Sequence, residues 1–122
     1  MKICVAVDWR WPRERNEIGV SIARRLAERQ EGAKILLLTV VREGEEEEAA
    51  GMLKRAWEND EACILVGKSA GEALVRFVDS FAPHMLVVGT RAQESSFLEN
   101  MLLGSTSTFV VEHAECAVMV AR

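Results

Sequence analysis

Three cysteines and two histidines are few for a chain of 122 residues, and their placement excludes more than their number. Cys4, Cys63 and Cys116 lack C-x-x-C spacing, and each falls in or beside a β-like run. Neither a disulfide framework nor a zinc site fits that pattern; buried, reduced thiols do. His84 and His113 have no cysteine or acid at ligand spacing, so no metal site is expected. A basic excess is also missing. The formal charge of −4 argues against a general nucleic-acid or anionic-membrane surface. No apolar run approaches the roughly 18 residues that span a bilayer. The start, Met1 to Asp8, is no signal peptide, since its short apolar run stops at an acid. A cytoplasmic protein is therefore expected. Ser95 and Ser96 lack flanking glycines and a His–acid pair, so no hydrolase triad is legible.

What remains is an ordinary globular balance, 49% apolar and 28% charged, in a chain long enough for one core. Residues 2–7 are a short run of branched and small apolar residues, read as a buried strand ending at Asp8. Trp9 to Arg15 form a loop broken by Pro12. From about Asn16, the residues Ile18, Ile22, Ala23, Leu26 and Ala27 recur at helical spacing, with Gly32 as the stop. Residues 35–41 read as a second buried strand. Glutamates from Glu43 to Glu48 then complement the dipole of a helix carrying Met52, Leu53, Ala56 and Trp57. Residues 62–66 form the third strand. The clearest amphipathic helix follows, from Ala70 to Phe81, and Pro83 closes it. Residues 84–88 are the fourth strand, about 105–113 a fourth helix, and 117–121 the last strand.

Strands alternating with helices predict a doubly wound parallel sheet with helices on both faces. Within that frame one stretch stands out. Val87-Val88-Gly89 is an apolar strand ending in glycine, and Gly104-Ser105-Thr106-Ser107 opens the fourth helix. A strand, a glycine loop and a helix N-terminus together suit an anion, because unpaired N–H groups and the helix dipole face the loop.

These residues resemble the universal stress protein family across nearly the whole chain. Strand one ending at Asp8, Leu36 to Val41, Leu86-Val87-Val88-Gly89-Thr90, Leu102-Leu103-Gly104-Ser105-Thr106 and the tail His113 to Val120 carry the likeness. The resemblance implies an adenine-nucleotide alpha-hydrolase-like α/β fold with five parallel strands in the order 3-2-1-4-5. It also implies a dimer and, in one branch, ATP held after the fourth strand by Gly-x2-Gly-x9-Gly-Ser/Thr. Transferred to this chain, the nucleotide-binding residues are Asp8, Val41, Gly89, Gly104, Ser105, Thr106 and Ser107, to which the loop position of Arg91 adds a further candidate. The ligand implied is ATP or AMP, with magnesium a candidate companion. Val41 is implied through its backbone, at adenine. Asp8 has a second reading, as a carboxylate capping the loop after strand one.

The loop departs from the family pattern at its middle. Ala92 stands at the second glycine, and eleven residues separate it from Gly104 where the family has nine. Counting back from Gly104 instead places Glu94 there. A β-carbon removes close backbone approach, and a carboxylate repels phosphate. Arg10, Arg13, Arg15 and Arg91, with Trp9 or Trp11 to stack on a base, are candidates to compensate; their alternative is to be solvated loop residues. The last strand, with Val118, Met119 and Val120, is expected at an uncharged sheet edge that pairs with a second copy. The reading is a dimeric adenine-nucleotide-binding stress-response module with at most slow hydrolysis. The alternative is a dimeric interaction protein of the same family that binds no nucleotide.

Overall fold

The computed structural model describes residues 1–89 and 105–121. The elements run β1 (Lys2–Ala6), α1 (Arg13–Glu28), β2 (Lys34–Val41), α2 (Glu46–Ala56), β3 (Glu61–Val66), α3 (Ala70–Phe81), β4 (Met85–Gly89), α4 (Ser105–His113) and β5 (Ala117–Ala121). The strands form one all-parallel sheet of order β3-β2-β1-β4-β5, as anticipated.

Alternation along each strand divides the core into two layers. Ile3, Val5, Leu37, Val41 and Val87 point to one face, against Val20 and Ala23 of α1 and Ala49 and Leu53 of α2. Cys4, Leu38, Leu86 and Val88 point to the other, against Leu74 and Val78 of α3 and Val110 of α4. Consecutive residues therefore serve opposite layers, and near-continuous apolar runs are the sequence consequence of a sheet covered twice. Cys4 is wholly buried, and desolvation pushes its thiol up to about 12, which keeps it protonated and inert. Burial raises the Cys116 thiol as well.

Boundaries shift where local chemistry outweighs periodicity. Helix α1 begins at Arg13, ahead of Asn16, because Pro12 at its cap fixes φ at −58°. Its first turn is polar, so no apolar rhythm announces it. The helix ends at Glu28, and Gly32 lies in the turn beyond, where φ of +76° requires glycine. The acidic run folds onto its own backbone. Glu45 Oε1 accepts from Arg42 N–H at 2.7 Å, and Glu46 Oε1 accepts from Gly44 N–H at 2.6 Å. At α3, Ser69 Oγ accepts from Glu72 N–H, and Ala82 adopts the left-handed cap before Pro83.

Three contacts join neighbouring elements on each side of the sheet. The Trp57 indole N–H donates to Glu17 at 3.0 Å, pinning the end of α2 to α1. Arg24 grips both oxygens of Asp60 at 3.1 and 2.7 Å, a paired bond that raises the guanidinium pKa. On the opposite face α3 and α4 approach through Gly71. A Cβ there would lie 2.9 Å from Phe109 Cδ1 and 3.0 Å from Phe109 Cβ. Gly71→Val should therefore destabilise the protein by about 2–3 kcal/mol, read as a lower urea midpoint at unchanged slope. An unchanged midpoint would show that α4 yields freely.

Candidate functional site

Parallel strands leave their carboxyl ends along one rim of the sheet, and loops from neighbouring strands open a crevice where the chain reverses direction. Here β1 sits between β2 and β4, so the reversal falls at β1 and β4. A cavity of about 170 Å3 opens there. Leu38, Val40, Ala70 and Leu74 form an apolar side; Gly89, Ser105, Thr106 and Ser107 form a polar side; Asp8, Arg10 and Trp11 form the lip.

The lip is built around Asn16. This side chain is buried in the first turn of α1, at 7% exposure. Its Oδ1 accepts from Asp8 N–H at 3.0 Å, and its Nδ2 donates to Asp8 C=O at 2.9 Å. Both backbone groups of Asp8 are thereby closed by one carboxamide. The Asp8 side chain turns back on the loop: Oδ1 accepts from Arg10 N–H at 3.0 Å and from Arg10 Nε at 3.3 Å. The loop-capping role of Asp8 is thus formed. Trp11 N–H donates to Asp8 C=O at 2.9 Å, completing the turn.

The loop's aromatic and basic residues separate cleanly. Trp9 is only 8% exposed and packs in the α1–α2 layer, with its indole N–H unbonded among the described residues. Trp11 is the one that reaches the crevice. The Arg15 guanidinium lies 3.6 Å from the Trp11 ring centroid, a stack that fixes the indole. Arg10 lines the crevice, whereas Arg13 pairs with Glu17 at 3.5 Å and lies outside it.

The far wall belongs to β4 and α4. Among the described residues, a Cβ built on Gly89 would meet nothing nearer than Trp11, at 3.9 Å, an ordinary contact distance. Ser107 Oγ donates to Gly89 C=O at 2.6 Å, which ties α4 to the strand and commits that hydroxyl proton. Ser105 is exposed and Thr106 half-buried, in a first turn whose backbone N–H groups have no intrahelical partner. Asp8 and Arg10 are the charged groups among the described lining residues and offset each other. The positive potential comes instead from the N-termini of α3 and α4.

The structure therefore gathers Asp8, Gly89, Ser105, Thr106 and Ser107 around one crevice. Val41 does not line it. Its side chain is 2% exposed in the opposite layer, and its carbonyl accepts from Gly67 N–H at 3.0 Å; Val40, of the other parity, faces the cavity. Arg91 and Gly104, with Ala92 and Glu94, lie outside the described residues. Asn16, Val40, Ala70 and Leu74 escaped the sequence reading. Asn16 carries no marker beyond a polar residue in a helix's first turn, while Val40 follows from strand alternation alone.

The sequence model described as the universal stress protein family matches residues 42–122. Among solved structures, a universal stress protein in complex with cAMP aligns at 22% identity and a TM-score of 0.66, over 99% of this chain and 95% of that one. UspA from Lactobacillus plantarum aligns at 19% and 0.68, over 99% and 97%. A universal stress protein family member from Arabidopsis thaliana with AMP bound aligns at 22% and 0.63, over 98% and 90%. At such identities the likeness is one of fold. A search of curated proteins finds no match.

The Asn16 clasp and the Asp8 ion pair differ in burial, and so should their removal. Asn16→Ala should cost about 1–3 kcal/mol, because it strands the Asp8 N–H and leaves its carbonyl to Trp11 N–H alone. Asp8→Asn should cost less than about 1 kcal/mol, since an exposed pair contributes little and asparagine preserves the turn. Equal losses in thermal unfolding would contradict this order.

Proposed function

Because the chain belongs to the universal stress protein family, we propose that it is a stress-response module that binds an adenine nucleotide, ATP or AMP, in the β1–β4 crevice and works as a homodimer. The observation that carries the reading is Gly89. It ends β4 at the switch point, beside the N-terminus of α4, where among the described residues a Cβ would meet only Trp11, at 3.9 Å. The apolar side formed by Leu38, Val40 and Leu74 suits a base, and the Ser105–Ser107 turn suits a phosphate. Two of the aligned structures hold an adenine nucleotide, cAMP in one and AMP in the other, which supports that class of ligand.

Hydrolysis is at most slow. Asp8 is the one carboxylate among the described lining residues, no histidine joins it, and its Oδ1 is already held by Arg10. Such a group is poorly placed as a general base. Asp8 is also the one described lining carboxylate available to a magnesium ion accompanying ATP. A second reading, a dimeric interaction protein without nucleotide, is favoured by Ala92 and Glu94 where the family's phosphate loop has glycine. The cytoplasm is the compartment expected for either.

Thermal unfolding with AMP, and with ATP plus magnesium, separates the two. Ligand at 100 times its dissociation constant adds about 2.7 kcal/mol, enough to raise Tm by several degrees. No rise at millimolar concentrations of both would leave the interaction protein. The dimer has its own check. β5 is the outer strand, its Val118, Met119 and Val120 are half-buried, and no charge interrupts them. Light scattering at tens of micromolar should give a mass near twice 13.6 kDa; a monodisperse monomer would rule out pairing through β5.

A further inference from the structure

We propose that Arg10 changes partners when the crevice fills, leaving Asp8 for the anionic group of the ligand, so that the site selects a nucleoside monophosphate over the uncharged nucleoside. The inference rests on the nucleotide reading of the crevice and adds to it the residue that sets selectivity.

Three features of the lip support the exchange. The first is the weakness of the present contact. The Arg10 side chain is 60% exposed and touches Asp8 through Nε alone, at 3.3 Å. Its terminal nitrogens make no hydrogen bond among the described residues. Solvent screens such a pair, and little is lost when it opens. A phosphate at the same mouth offers two oxygens to the guanidinium, and paired, charge-assisted bonds are the stronger kind.

The second feature is that the turn survives the exchange. Arg10 N–H donates to Asp8 Oδ1 independently of the side chain, at 3.0 Å. Asn16 holds Asp8 by its backbone, and Arg15 holds Trp11 by its ring. Only the Arg10 side chain has to move.

The third is what the departure uncovers. Asp8 Oδ2 makes no hydrogen bond among the described residues, and release of Nε relieves Oδ1 of one donor. A carboxylate so freed can accept from a pair of sugar hydroxyls. A ligand with hydroxyls alone must compete with Arg10 for Asp8. A ligand carrying both a phosphate and a vicinal diol removes that competitor with one group and occupies its place with the other. Selectivity then arises from coupling between two ends of one molecule, across a lip that contributes no net charge.

Calorimetric titration of the full chain with AMP and with adenosine tests this, on the wild type and Arg10→Gln. The wild type should bind AMP at least about tenfold more tightly than adenosine. Arg10→Gln should reduce that ratio by about tenfold and flatten its dependence on salt. An unchanged ratio in Arg10→Gln overturns the exchange while the nucleotide reading stands. A parallel loss for both ligands also overturns it, since Arg10 would then merely shape the lip. Failure of the wild type to bind either ligand overturns the exchange and the nucleotide reading together.

Discussion

One carboxamide governs the geometry of the crevice. Asn16, buried at the start of α1, closes the N–H and the C=O of Asp8 at the point where β1 leaves the sheet. β1 is the central strand, paired with β2 on one side and β4 on the other, so its end defines the switch point. Without that clasp the Asp8 N–H would lose its partner and the Asp8 carbonyl would keep only Trp11 N–H among the described residues. With it, Arg10 and Trp11 are delivered to the crevice and Trp9 is turned into the core. Helix, strand end and lip become one unit.

The second wall depends on a different constraint, the absence of a side chain. Gly71 lets Phe109 lie against the backbone of α3, which brings α3 and α4 side by side under the same rim. Ser107 then ties the first turn of α4 to Gly89. Two helix N-termini thus open toward one cavity, and their partial charges supply positive potential that side chains do not.

The division of labour between fixed and movable groups follows from burial. Asn16 and Trp9 are locked in the interior, and the half-buried Trp11 is locked by its stack on Arg15; Arg10 remains largely in solvent. Among the described residues, a site assembled this way has a buried floor and one largely exposed cation.

Much of this was legible in the chain itself. Runs such as Leu36 to Val41 and Leu86 to Val88 are too short and too uniformly apolar for surface helices, and they alternate with amphipathic segments. That alternation, the handedness of crossovers and the family likeness were enough to predict five parallel strands in the order observed. Gly89 and Ser105 also announced themselves, since a glycine ending a strand and hydroxyls opening a helix are local signals. Local signals could not settle which layer each residue serves. Trp9 and Trp11, or Val40 and Val41, are near neighbours of like character, and their separation into core and crevice is decided by pleat and packing partners. Nor could they show that Asp8 is held by Asn16 and Arg10, or that Gly71 faces Phe109, contacts made when separate elements meet. The sequence by itself determined the sheet and the rim where a ligand would lie, because periodicity and strand order are properties of the chain. Tertiary structure alone decided which side chains reach that rim, because direction and distance exist only once the layers have packed.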